Sequence, residues 1–403
     1  MKKLTIGLFN DSFPPTIDGV SNTVVNYARV IQEKYGRSVV VTPKYKDVKD
    51  NYAFPVIRYM SLPTDKTRIR YRAGNPFAVG AIREVRKQNL DLIHVHSPFT
   101  AAYIARNVNS HHRLPVVMTY HTKFQDDISF TVQNKVLYKM AASIVVSNFS
   151  YADEVWTVSK GAADSLLALG YKGDYRVMVN GADITLDPAP DEIMRKVQAD
   201  TGFHSGELVF LYCGRMQWYK GIKIILDSLV KVKAAGVRFR MIFVGGGYEL
   251  PEIKEYARKA GLMNQTLFTG PIYDRALLKG YFTRADLFLF PSTYDTAGLV
   301  VMEAAACRTP SVLIKGSCAA EIVTDGRNGY LSEENADSFA AAIQNAINDR
   351  SALAQMGERA AKEVYLSWDD SVANAYKRYE EIYEEWNSFG PIFRKSMKKK
   401  DNE

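Results

Sequence analysis

The sequence predicts an α/β protein made of two successive series of parallel-strand units. Three observations carry this. Short apolar runs of strand length alternate with longer helix-period segments through a chain of 403 residues. The alternation pauses at a turn-rich connector, residues 184–206 with Asp187-Pro188-Ala189-Pro190-Asp191, and then restarts. The residues able to do chemistry gather just after strand ends, where ligands sit in open parallel sheets. The chain is long for one core, so two domains are expected, residues 1–187 and 200–370, with a basic tail at 391–403 that should be frayed.

The first series opens at Ile6–Phe9. Its apolar run stops at Asn10-Asp11, too short for a secretory leader, and reads as a buried strand. The loop that follows carries Asp18-Gly19-Val20, where a glycine lets backbone approach a phosphate at the mouth of a helix. Ser21 to Tyr35 is that helix, and Ser38–Thr42 the next strand. Asp91–His96 is a strand ending in His94 and His96, which share one side because strand side chains alternate. Pro115–Tyr120 ends at His121, a histidine placed at a strand end. Asp153–Val158 is followed by Ser159, a helix N-cap.

The second series runs Leu208–Cys213 (strand), Gly221–Ala235 (helix) and Arg238–Val244 (strand). After Gly245-Gly246-Gly247 comes a helix through Ala260. Thr266–Thr269, Leu287–Phe290 and Pro310–Leu313 are further strands, and Ser371–Trp386 is a last helix. Two stretches stand out. Gly214-Arg215-Met216-Gln217-Trp218-Tyr219-Lys220-Gly221 sets two cations at opposite ends of a strand-to-helix loop, suited to a diphosphate. Pro291 to Ala306 is strand end, loop and helix. Its helix N-terminus near Gly298 offers unpaired N–H groups to an anion. Asp295 in the loop and Glu303 in the second helical turn flank that site with acceptor-only carboxylates, which suits a ligand bearing phosphate and many hydroxyls.

Composition narrows the classes. No run of about 18 apolar residues exists, so no membrane-spanning helix is expected. Cys213, Cys307 and Cys318 read as core thiols of a reducing cytoplasm. The net charge of +8 sits in the first half: residues 1–190 hold 24 Lys+Arg and 16 Asp+Glu, and the remaining 28 of each cancel. Lys66, Arg68, Arg70 and Arg72 cluster there, which fits an anionic membrane surface. Nucleic acid is not expected, since neither an RRM-like aromatic motif nor a helix-turn-helix is present. There is no G-x-G-x-x-G fingerprint, no Walker lysine after Gly245-Gly246-Gly247, no Asp-x-Asp pair and no zinc spacing. Neither a metal nor a resident cofactor is expected.

These residues resemble the retaining GT-B glycosyltransferases of family GT4, in particular bacterial members that glycosylate diacylglycerol. The E-x7-E-type stretch from Asp295 to Glu303 carries the resemblance furthest, followed by Gly214-Arg215…Lys220-Gly221. Asp18-Gly19-Val20, Tyr120-His121-Thr122, Val179-Asn180-Gly181-Ala182-Asp183, Ala319–Val323 and Asp325–Tyr330 are further landmarks. The resemblance implies two Rossmann-like domains whose parallel sheets face a central cleft, with the helix at about 371–390 crossing back to the first domain. It implies a nucleotide-sugar donor, UDP-linked, and front-face transfer with retention, the leaving phosphate accepting the acceptor's proton.

By the same resemblance Arg215 and Lys220 would hold the diphosphate, Glu303 the ribose, and Asp295 the transferred sugar's hydroxyls. Backbone at Gly298, Leu299 and Val300 would touch sugar and phosphate, Gly19 the diphosphate, and Ile272 the base. His121 would sit near the reacting sugar and His96 on the acceptor side. Two departures bear on the sugar: Asp295 is one methylene shorter than the family's glutamate, and Thr296-Ala297 replaces the common aromatic pair. The acceptor implied is a membrane lipid or lipid-linked molecule, and the location cytoplasmic, peripheral on the inner face of the membrane. Alternatives are transfer to a soluble sugar or polysaccharide, a nucleotide-sugar 2-epimerase, and a nucleotide-sugar binder without turnover.

Overall fold

The structure is a computed structural model describing residues 2–16, 18–63, 72–124, 134–202 and 206–389. Lys66, Arg68, Arg70 and the tail at 391–403 lie outside the described residues. The chain divides into two units, one of residues 1–180 with 368–403, the other Gly181–Ser367.

The first unit is built on a seven-stranded parallel sheet in the order β3-β2-β1-β6-β7-β8-β9. Its strands are β1 (Thr5–Phe9), β2 (Arg37–Pro43), β3 (Val56–Tyr59), β6 (Leu92–Val95), β7 (Val116–Tyr120), β8 (Glu154–Thr157) and β9 (Arg176–Val177). β4 (Ser61–Pro63) and β5 (Arg72–Gly74) form a small antiparallel pair. The central strands are buried on both faces, as parallel strands under crossover helices must be, so they read as near-continuous apolar runs. The helices are α1 (Gly19–Val30), α2 (Val79–Arg86), α3 (Thr100–His112), α4 (Lys135–Phe149) and α5 (Lys160–Ala168). Ser159 caps α5, accepting from the Ala162 N–H at 3.0 Å. α1 starts two residues earlier than expected, because the Asp18 side chain accepts from Ser21 N–H and caps it, and it loosens into a π-turn over Ile31–Tyr35.

The second unit holds a six-stranded parallel sheet in the order β12-β11-β10-β13-β14-β15. Its strands are β10 (Leu208–Cys213), β11 (Phe239–Val244), β12 (Thr266–Gly270), β13 (Leu287–Phe290), β14 (Ser311–Ile314) and β15 (Tyr330–Ser332). Its helices are α6 (Asp191–Thr201), α7 (Ile222–Ala234), α8 (Leu250–Lys259), α9 (Arg275–Arg284), α10 (Leu299–Ala306), α11 (Ala336–Ile347) and α12 (Arg350–Glu363). α6 lies inside the stretch 184–206, expected as a turn-rich connector, so Asp191–Thr201 of that stretch is helix and not turn. It packs on α9 where Gly280 leaves room: a Cβ there would stand 2.6 Å from Ile193 and 3.0 Å from Val197.

The last helix, α13 (Trp368–Phe389), belongs to the first unit. Trp368, Val372, Ala375, Tyr376, Tyr379 and Ile382 enter the same core as Ile6, Leu8 and Trp156, and Tyr379 stacks on Trp156 at 5.2 Å. Each sheet reverses strand order once, between β1 and β6 and between β10 and β13, and those switch points are where open α/β sheets bind ligands.

Candidate active site

In the second unit, the two stretches singled out in sequence leave adjacent strands at the switch point, one after β10 and one after β13. Gly221 brings them together. It lies at φ +76°, and a Cβ there would stand 2.7 Å from the Pro291 carbonyl oxygen, so only glycine lets the loops touch. Lys220, at the end of a 3₁₀ turn and 8% exposed, donates from Nζ to both Asp295 oxygens at 2.8 Å. Ser292 Oγ also donates to Asp295. The ammonium lies 5.1 Å from the Tyr294 ring and 5.3 Å from Tyr219, and these rings meet edge to face at 4.9 Å. A buried charge needs a partner, and here Asp295 is it. Arg215 is exposed at the loop's other end.

Gly298 caps α10 at φ +58°, where a side chain would press to 3.1 Å from Ala319 Cα. The first-turn N–H groups of Leu299 and Val300 are beyond reach of any carbonyl within the helix. Glu303 lies one turn on, buried in an otherwise apolar helix. Its partner was not foreseen in the sequence: Arg275, the first residue of α9, donates from Nη2 to Glu303 Oε1, and the same nitrogen lies 3.4 Å from Asp183 Oδ2. Burial pushes the Glu303 carboxyl above its usual range, Arg275 pulls it back, and Asp183 pushes again, leaving it raised. The Cys213 thiol at the end of β10 is pushed up to about 12 by burial and by Glu303. Ile272, before α9, is half-buried against the unit's core.

The first unit gathers three histidines. The rings of His94 and His96 face each other at 3.9 Å, confirming that they share one side of the strand. His94 is tied to Tyr379 Oη and Thr119 Oγ1, both at 2.6 Å, and is a packing residue. His96 Nδ1 meets His121 Nε2 at 2.9 Å, so these two act as a pair. Burial lowers all three, His121 to about 3, so the imidazoles are neutral at physiological pH. Gly19 opens α1; a Cβ there would meet nothing within 4 Å, so packing does not demand glycine at this position.

Chemically, the second unit's site pairs acceptor-only carboxylates with cations and helix N–H groups, a set that holds an anion and its hydroxyls together. A signal for Arg275 existed: it follows a strand-end loop, and a carboxylate inside an apolar helix calls for a cation. Among the described residues, no three His, Cys, Asp or Glu side chains gather as a metal site, and no helix is long and apolar enough to cross a membrane.

Comparison with known proteins adds to this geometry. Residues 17–186 match the family described as Glycosyltransferase Family 4, and residues 194–363 match Glycosyl transferases group 1. The chain is 26% identical over 387 residues to the alpha-monoglucosyldiacylglycerol synthase of Streptococcus pneumoniae, covering 94% of this chain and 85% of that protein. It is 24% identical over 345 residues to the enzyme of that name from Acholeplasma laidlawii, covering 82% and 85%. In fold it resembles Anabaena Alr3699/HepE, solved with UDP and glucose, at a TM-score of 0.72 and 20% identity over 94% of this chain and 100% of the other.

Proposed function

This chain is a GT4-type hexosyltransferase with the GT-B fold, and from that premise we propose that it moves a hexose from a UDP-linked donor to a membrane lipid with retention. The acceptor hydroxyl oxygen bonds to the sugar's C1 as the C1–O bond to phosphate breaks. The acceptor's proton passes to the departing phosphate oxygen, and the nucleoside diphosphate leaves from the same face. Lys220 and Arg215 carry the diphosphate's charge, helped by the N–H groups of Leu299 and Val300. Glu303 accepts from the ribose hydroxyls and Asp295 from the sugar. His121, neutral, lies beside the reacting sugar as a hydrogen-bonding group.

The observation that carries the lipid acceptor is a set of exposed apolar side chains on the first unit. Leu62, Phe77, Val79, Val136, Leu137 and Met140 are more than half exposed, up to 76% at Phe77. They sit on β4 and around the starts of α2 and α4, with Phe99 and Tyr103 exposed at the start of α3. On α4, Val136, Leu137 and Met140 lie at positions one helical turn apart and are exposed together, which suits an interaction surface, and Lys139 beside them supplies charge for an anionic leaflet. The diacylglycerol-linked names of the relatives support the same acceptor.

The test is a panel of UDP-, GDP- and ADP-hexoses scored first for slow hydrolysis, then for transfer to diacylglycerol in mixed micelles or to free glucose and oligosaccharides. Transfer from a UDP-hexose to the lipid is expected, with the product's anomeric configuration unchanged by NMR. Efficient transfer to soluble sugars alone would overturn the lipid reading. Transfer should also survive EDTA; loss of activity restored by Mn²⁺ would overturn a metal-independent mechanism.

A further inference from the structure

We propose that Arg275 is a positioning residue for donor recognition: its guanidinium, held between Asp183 and Glu303, orients the Glu303 carboxylate to accept the ribose hydroxyls of the nucleotide. This rests on the reading that Glu303 takes the ribose. Nη2 engages Oε1 of Glu303, and among the described residues Oε2 has no hydrogen bond, which leaves it available as an acceptor. The arrangement is not that of a buried structural pair. The Arg275 side chain is 47% exposed and reaches inward to a carboxylate that is 9% exposed.

The other groups set against Glu303 are Asp183, Cys213 at the end of β10, and Cys307 at the C-terminus of α10. None of these is a cation, so it is Arg275 that favours the ionised state of Glu303. A diol donates two hydrogen bonds to a carboxylate, whereas a protonated carboxyl surrenders an acceptor and carries no charge. Losing Arg275 therefore costs donor affinity most where Glu303 becomes protonated.

The experiment compares wild type, Arg275→Met and Arg275→Lys in calorimetric titrations with UDP and with 2′,3′-dideoxy-UDP, from pH 5.5 to 8.5. Wild type should prefer UDP by about tenfold or more, the scale of one charge-assisted hydrogen bond. Arg275→Met should lose most of that preference at low pH and regain part as pH rises, and Arg275→Lys should keep most of it. An unchanged preference and pH profile in Arg275→Met would overturn the proposal.

A wild type that does not distinguish the two nucleotides would refute the ribose reading instead. Melting without nucleotide then decides whether Arg275 controls Glu303. An acid whose folded pKa is raised further loses stability as pH climbs through that pKa. The melting deficit of Arg275→Met should therefore widen from pH 5 to pH 8.5 and disappear when Glu303→Gln is the background. A deficit that ignores pH or persists in that background would overturn the control of Glu303 by Arg275.

Discussion

At the scale of single residues, the second unit's candidate site is a set of matched charges. Lys220 is paired with Asp295 at 2.8 Å, and this contact holds the cation in a buried position with its geometry set. Lys220→Ala and Glu303→Ala should each lower kcat/KM about 10²-fold or more, about 3 kcal/mol of transition-state stabilisation, while circular dichroism stays native. Near-wild-type rates for both would remove these residues from the site. His121 makes a different prediction. Because burial holds it to about 3, it stays neutral from pH 5 to 8. Its ring cannot be the source of an acid limb there, so His121→Gln should lower the rate without changing the shape of the pH profile; a limb near pH 6.5 that vanishes in the variant would contradict this. Lys220 and Asp295 were legible as separate residues because each sits in a strand-end motif. Their pairing was not, since 75 positions separate them and only the sheet makes them neighbours. Arg275 was missed because an arginine opening a helix after an N-cap aspartate reads as surface.

At the scale of elements, the strands that announced themselves are those buried on both faces, such as β1, β7, β10 and β13. β9, two exposed residues at a sheet edge, has no apolar run to betray it. β3 and β15 alternate or half-expose their side chains and were also passed over. α6 hid behind the prolines before it and a first turn of Asp191 and Glu192, which read as loop although they suit a helix N-terminus. α4 is the element that turns fold into a testable surface. Its Val136, Leu137, Met140 and Ile144 stand in water, although a soluble partner-free helix would turn such residues inward. The double variant Leu137→Glu, Met140→Glu should reduce co-sedimentation with anionic vesicles about tenfold or more, and salt should weaken the wild-type interaction. Equal binding of wild type and variant would clear α4 of that role.

At the scale of the whole molecule, two parallel α/β units were legible because the βαβ rhythm occurs twice with a break between. The home of the last helix followed from the family resemblance and not from its own pattern, since any amphipathic helix could cover either unit. Its aromatic residues complete the first unit's core, so a chain ending at Ser367 should lose the cooperative melt of that unit and become protease-sensitive there, while residues 181–367 stay protected. A native melt of the shortened chain would show α13 to be dispensable. The same topology makes the second unit an insertion within the first, and its two ends are stitched together: Ala182 bridges to Ser367, and its N–H donates to the Leu366 carbonyl at 2.9 Å. A block whose entry and exit coincide is a cassette. It can be lifted out, exchanged for the equivalent block of a relative, or set into a host loop without a linker having to span any gap.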